Sequence, residues 1–506
     1  VSAPPASGDG DQAAHAPQVG DLGRQLARVG DALDRLLATP GVDAASTRAA
    51  WTATLDAPLP RRGIGADAVV AELTDVVVPN GTRLAEPGFW SWITAGPTTV
   101  AVAAAAAASL AAPQRYTITA FNLLERVSLD WLAQLCGLGP HMKGVYSSGG
   151  SVANLVALGA ARQWAYEQRG IDPAVDGTGG LRPVVYASAE AHHTIQRSAA
   201  VLGLGRGQVR LVPTDDRARM RPDLLRELLR ADRAQGRTPV AVVATAGTTN
   251  TGSIDPLRAV GELAAEFGAW FHVDGAYGLP GVLDGRVSAS YDGLDLADSA
   301  IVDPHKWLNA PVGVAATFVR DPEILTRAFT QEPADYLASV ADGDTDDVVV
   351  SLDAMGEPYA DRGVELSAPS RGVVVWAIIR ELGRDGVAAR VRADNDLAAT
   401  LASLVRAHPR LELMLEPELS ICCLRYVGAA GGDRLDLDSL NLDLLRMLHH
   451  RTPYLPSSTR VHGSWALRPC FINPRTRAPM VEEFVEAVVA LGDELAAAGR
   501  HVAAPA

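Results

Sequence analysis

Cysteine is scarce in this chain, with four in 506 residues, at Cys136, Cys422, Cys423 and Cys470. No two form a C-x-x-C pair, and the adjacent Cys422 and Cys423 are poor joint ligands. A disulfide scaffold is excluded, no metal site is expected, and the thiols read as buried and reduced. Basic blocks are absent too: 45 Lys+Arg against 59 Asp+Glu leave a formal charge of −14. Nucleic acid and anionic membranes are therefore not expected partners. There is no long hydrophobic run. The richest, Val100 to Ala112, is mostly alanine and too short to span a bilayer. No charged segment followed by an apolar stretch opens the chain, so no signal peptide is expected and the protein reads as cytoplasmic. What is present is length and 48% hydrophobic residues, sufficient for a large core without staples.

Residues 1–18 are mostly Ala, Pro, Gly, Asp and Ser, and are predicted to be a disordered tail. Residues 19–95 form an N-terminal helical segment. Leu22, Leu26, Val29, Leu33, Leu36 and Leu37 recur at helical spacing, and a second helical stretch runs from Asp67 to Leu73. Both read as packing on another surface, such as a second subunit. Residues 96–370 alternate in type. Gly144-Val145-Tyr146, Pro183 to Tyr186, Val240 to Thr245, Trp270 to Val273 and Ser299 to Val302 are short strand-like runs. Helical patterns follow them at Ser151 to Glu167, His192 to Leu202 and Leu257 to Phe267. This rhythm predicts an α/β fold with a mostly parallel sheet covered by helices. Residues 371–506 read as a small α+β domain. Its helices are Val373 to Leu382, Val387 to Ala407 and Met480 to Ala498, and its strands Leu411 to Leu413, Leu419 to Tyr426 and Trp465 to Ile472.

In such folds ligands sit at the carboxyl ends of the strands. Ser148-Gly149-Gly150-Ser151 stands where a strand turns into a helix. Glycine lets the backbone approach an anion and the helix N-terminus offers free N–H groups, which together suit a phosphate. No Walker lysine follows. Asp274 closes the strand Trp270 to Val273. Alone it could cap a helix, bind a metal or face a cationic ring nitrogen. Lys306, in Asp303-Pro304-His305-Lys306-Trp307, follows the next strand, 32 residues after Asp274. Alone it could be a snorkelling lysine or a carbonyl-binding amine. A phosphate cradle, an aspartate and a lysine at strand ends, the last two on adjacent strands, are the parts that pyridoxal 5'-phosphate needs. Gly203-Leu204-Gly205-Arg206-Gly207 follows a helical stretch, so it lacks the context of a dinucleotide loop.

Together with Ala466 to Thr476, these segments resemble the group II pyridoxal-phosphate-dependent amino-acid decarboxylases, which include the aromatic-L-amino-acid and glutamate enzymes. The resemblance covers roughly residues 60 to 495, with Val152 departing from the glutamate many members carry. It implies a fold type I transferase architecture with a seven-stranded sheet, and a homodimer with a shared active site. It implies that Lys306 holds the cofactor, that Asp274 faces the ring nitrogen and that His192 stacks on the ring, His193 being the alternative. Ala276 and Thr249 would lie near the ring, and Gly150, Ser151 and His305 on the phosphate side. Tyr336 or His192 would return a proton after carbon dioxide leaves.

The substrate implied is an amino acid, most readily an aromatic one. By resemblance Phe89, Trp90 and Trp92 fall in a pocket segment, although three aromatics can equally be core. Arg115 and Tyr116 fall in another, and an inward Arg115 would favour an acidic side chain such as glutamate. Arg468 would bind a carboxylate or tie the small domain down. Decarboxylation of glutamate, aspartate or diaminobutyrate, and an aminotransferase or lyase on the same cofactor, remain alternatives. So does a cofactor-binding scaffold without turnover, against which the intact Lys306, Asp274, His192 and Tyr336 argue.

Overall fold

The computed structural model describes residues 21–39, 44–112, 120–330, 359–429 and 436–498. The chain divides into two compact units, residues 1–86 and 87–506. In the first, α1 (Asp21–Ala38), α2 (Ala44–Leu55) and α3 (Ala66–Glu72) are followed by one π turn (Leu73–Val77). The leucine spacing of α1 makes it amphipathic, yet Leu22 and Leu26 remain about half exposed. Arg24 pairs with Asp67 at 3.2 Å and Arg28 with Asp75 at 3.1 Å. Both pairs are solvated and contribute little.

The second unit begins with a two-residue strand, β1 (Phe89–Trp90), then α4 (Thr99–Ala111) and α5 (Ala120–Leu135). Alternation follows: β2 (Lys143–Ser147), α6 (Gly150–Glu167), β3 (Pro183–Ser188), α7 (Thr194–Val201), β4 (Val209–Val212), α8 (Pro222–Ala234), β5 (Thr238–Thr245), α9 (Leu257–Phe267), β6 (Trp270–Asp274), β7 (Ser299–Val302), β8 (Ala315–Val319) and α10 (Glu323–Phe329). These strands form one seven-stranded sheet, in the order β2-β8-β7-β6-β5-β3-β4. Only β8 runs against the others, pairing antiparallel with β2 and β7. Every residue of β5, β6, β7 and β8 is buried, as a sheet covered on both faces requires. Alanines let α6 lie close across strands β5 to β8.

α11 (Gly372–Ala407) comprises the two helices predicted over 373–382 and 387–407, joined through Gly383 at φ 64°. Beyond it lie β9 (Leu411–Leu415), β10 (Cys423–Tyr426), α12 (Leu437–Arg451), β11 (Leu455–Val461), β12 (Ser464–Arg468) and α13 (Ala478–Ala497). A second sheet has the order β1-β11-β12-β10-β9. The expected strands 419–426 and 465–472 are shorter than their apolar runs. Pro469 has no N–H to continue β12, and residues 419–422 contribute only the bridge Ile421–Cys470. The core of this region joins the end of α11 to α12 and α13 through Leu401, Val405, Leu444, Phe484 and Val488. All four cysteines are free and buried. No helix among the described residues is long and apolar enough to cross a membrane.

Candidate active site

Five loops at the carboxyl ends of β2, β3, β5, β6 and β7 converge on one cavity of about 340 Å³. The loop after β2 supplies Ser148 to Ser151. Gly149 sits at φ 146°, where side chains are disfavoured, and its carbonyl accepts the N–H groups of Val152 and Ala153. A Cβ on Gly150 would lie 2.6 Å from Asp303 Oδ2, so only glycine fits. α6 therefore starts against the cavity with no side-chain cap, and its first N–H groups and positive dipole end can meet an anion. Val152, the departure from the family pattern, also lines the cavity.

Asp274 ends β6. Its Oδ1 accepts the backbone N–H of Ala276 at 3.2 Å and its Oδ2 an amide hydrogen of Asn154 at 3.1 Å. Lys306 lies one loop away, its Nζ 3.0 Å from Asp303 Oδ2. His305 donates from Nδ1 to the carbonyl of Val314 at 2.7 Å. Asp274, Ala276, Asp303, His305 and Lys306 all line the cavity. Two buried lining oxygens, Thr245 Oγ1 and Asp303 Oδ1, have no hydrogen-bond partner among the described residues. Buried polar atoms are rarely left so, which fits a cavity shaped for a polar guest.

His192 lines the cavity, whereas its neighbour His193 is exposed. The two rings lie 4.2 Å apart, so sequence could not separate them. Burial pushes the imidazolium form of His192 down, and that of the fully buried His272 down to about 4. In both rings burial favours the neutral form.

A second cavity, of about 620 Å³, shares His192, Thr249 and Lys306 with the first. Trp92, Ile93, Leu445 and Pro456 give it apolar walls. Arg468 lies at its edge but is committed to the protein. Its guanidinium donates to the carbonyls of Asn250 (2.9 Å), Trp92 (2.9 Å) and Thr249, and to Ser457 Oγ (3.1 Å). It ties β12 to the β5 loop, the second of the two roles open at the sequence level.

Trp90 requires a correction. It does not line either cavity but is fully buried in the second core, 5.1 Å from Tyr454 and 5.0 Å from Phe471, ring to ring. Its Nε1 donates to the Pro87 carbonyl at 2.9 Å. Phe89 is likewise buried, its ring 5.8 Å from that of Trp92. Trp92 alone of the three reaches a cavity, at φ 56° and 65% exposed. Arg115, Tyr116 and Tyr336 lie outside the described residues.

One signal went unread. The chain contains only two lysines, Lys143 and Lys306. Lys143 begins β2, at the opposite end of that strand from the cradle, 3.6 Å from Asp130. Lys306 is therefore the one lysine amine that faces the cavity. Asn154, whose buried amide touches Asp274, also escaped the sequence reading.

An anion cradle, a facing carboxylate and a single amine suit an aldehyde that bears a phosphate and a ring nitrogen. The family model described as the pyridoxal-dependent decarboxylase conserved domain matches residues 50–427, and the chain belongs to that family. It is a lyase that decarboxylates an L-amino acid with pyridoxal 5'-phosphate as cofactor. It is 30% identical over 373 residues to an aromatic-L-amino-acid decarboxylase of Bacillus atrophaeus, covering 74% of this chain and 73% of that one. It is 31% identical over 447 residues to an L-2,4-diaminobutyrate decarboxylase of Rhizobium meliloti strain 1021, covering 87% and 84%. A solved structure of Oryza sativa TDC with PLP and tryptamine superposes with a TM-score of 0.84 at 27% identity, covering 94% of this chain and 99% of that one.

Proposed function

We propose that this enzyme acts on an aromatic L-amino acid. The observation that carries this reading is the wall of the second cavity. Trp92, Ile93, Leu445 and Pro456 offer apolar faces to a flat side chain, and no carboxylate lines it among the described residues. The second ammonium of diaminobutyrate would find no counter-ion there. A glutamate side chain would meet Arg468 with four of its five N–H donors already engaged by carbonyls and a hydroxyl. The tryptamine held by the rice relative points the same way.

Lys306 would hold the aldehyde carbon of the cofactor and Asp274 its ring nitrogen. The start of α6, with Gly150, Ser151 and His305, would hold the phosphate, and His192, Ala276 and Thr249 would surround the ring. Pyridoxal phosphate supplies the electron sink for the pair left when the carboxylate departs. The chain supplies orientation, a fixed negative charge at Asp274 and exclusion of water. We assign the returning proton to Tyr336, the residue the family resemblance implies, since burial disfavours the protonated form of His192.

Carbon dioxide release from L-tryptophan, L-phenylalanine, L-tyrosine, L-glutamate and L-2,4-diaminobutyrate tests the substrate. The expected kcat/KM favours an aromatic acid by roughly 100-fold, about what a missing counter-ion is worth. A preference for glutamate or diaminobutyrate would refute it.

We also propose a cytoplasmic homodimer with a shared active site, residues 96–370 forming the large domain and 371–506 the small one. The half-exposed Leu22 and Leu26 of α1 support the dimer. A light-scattering mass equal to one chain would argue against it.

A further inference from the structure

Behind the cavity a file of hydrogen bonds runs from β6 and β7 to two of its lining residues. Trp270 Nε1 donates to Ser299 Oγ at 2.7 Å. Ser299 Oγ lies 2.9 Å from His272 Nδ1, and His272 Nε2 lies 2.9 Å from Asn154 Oδ1. Asn154 Nδ2 then donates twice, to Asp274 Oδ2 at 3.1 Å and to Thr194 Oγ1 at 3.2 Å. Thr194 Oγ1 lies 2.9 Å from His192 Nδ1, which also accepts the backbone N–H of Thr194 at 3.4 Å. Trp270, Ser299, His272, Asn154, Thr194 and Asp274 are all buried.

The direction of every bond follows from the two ends. A carboxylate only accepts, so Asn154 must turn its NH2 group toward Asp274 and its oxygen toward His272. The His272 hydrogen must then sit on Nε2. A neutral ring carries one hydrogen, so Nδ1 accepts from the Ser299 hydroxyl. Ser299 oxygen is left to accept from Trp270, which can only donate. On the other branch the Thr194 N–H can only donate, which makes His192 Nδ1 an acceptor and places the His192 hydrogen on Nε2. The Thr194 hydroxyl also points at His192 Nδ1, freeing its oxygen for the second Asn154 hydrogen. The Thr194 N–H and hydroxyl share the single lone pair of His192 Nδ1, the longer N–H contact being the weaker, and in a buried file each donor polarises the next.

We propose that Asn154 is a positioning residue that couples the Asp274 carboxylate and the His192 ring, holding the first as an acceptor and, through Thr194, the second as its Nε2–H tautomer. It touches neither the second cavity nor Lys306. It also lines the first cavity; the coupling runs through the two residues it orients, and the proposal rests on their assignment to the cofactor.

Two experiments test it on the full chain loaded with cofactor. Neutron diffraction from perdeuterated crystals is expected to show deuterium on Nε2 and none on Nδ1 of both His272 and His192. Deuterium on Nδ1 of either ring would overturn the proposal. Asn154→Ala and Asn154→Asp both lack the two amide hydrogens. Each is expected to lower kcat about 10- to 100-fold, the worth of one hydrogen bond to a charged group, with KM for the substrate within about twofold. Loss of thermal stability at unchanged kcat, or a rise in KM alone, would reduce Asn154 to a packing residue. Asp274→Ala separates the causes of failure. If it lowers kcat and the Asn154 variants do not, the coupling is wrong; if neither lowers kcat, the placement of the cofactor is wrong. Should the Asn154 variants not fold, the hydrogen positions in the unaltered enzyme decide alone.

Discussion

Lys306→Ala is expected to lower carbon dioxide release by roughly 10³- to 10⁴-fold. The expectation is unusually sharp because the chain offers no substitute. Lys143, the other lysine, stands at the far end of β2 beside Asp130. Lys306 is held on the loop after β7, and Asp303 at 3.0 Å keeps its amine at the cavity. On the assignment proposed above, alanine would remove both the amine that would hold the cofactor and the group that would release product. The same variant is expected to lose the yellow colour that borohydride bleaches, whereas Lys143→Ala keeps it. Retention of more than about a tenth of the rate by Lys306→Ala would show that the assigned role is wrong.

Asp274→Ala is expected to lower kcat by about 10²- to 10³-fold in protein saturated with cofactor. Asp274 ends β6 as a buried residue lining the cavity and is held there by the Ala276 N–H and the Asn154 amide. A fixed negative charge in such a place acts more strongly than one in water and needs no reorganisation when charge develops. Alanine leaves the cradle and Lys306 untouched, so KM is expected to change less than kcat. Measuring both separates this from simple loss of cofactor. A kcat within about tenfold of the parent enzyme would exclude the electrostatic role.

The strand ends were readable because β5, β6 and β7 are buried on both faces and so appear as mostly apolar runs. A charged residue close after such a run stands out: Asp274 closes β6, and Lys306 lies four residues past Val302 at the end of β7. Direction was not readable in the same way. β8 is as apolar as its neighbours, yet it runs antiparallel between β2 and β7. Nor was the partner of β1, since Phe89 pairs with Leu455, more than 360 residues away.

The pocket aromatics show where local reading fails. Trp90 and Trp92 are two positions apart and would share a face in a regular strand. β1 stops at Trp90, and Trp92 adopts φ 56°, which turns it out of the ladder. One ring therefore enters the second core and the other borders the cavity. Asn154 makes a similar point. In the sequence it is one polar residue within a helix rich in alanine, and its importance lies in side chains from β6, β7 and the loop before α7.

The residue order alone was enough for the βαβ rhythm, the cofactor class and the candidacy of Asp274 and Lys306. These are local facts: an apolar run, a turn and the residue types that follow it. The separation of His192 from His193, the exile of Trp90, the commitment of Arg468 and the hydrogen-bond file through Asn154 depended on the folded chain. Each is set by which distant segments come within hydrogen-bond or van der Waals reach, and those forces act over a few ångströms in space, whatever the distance along the backbone.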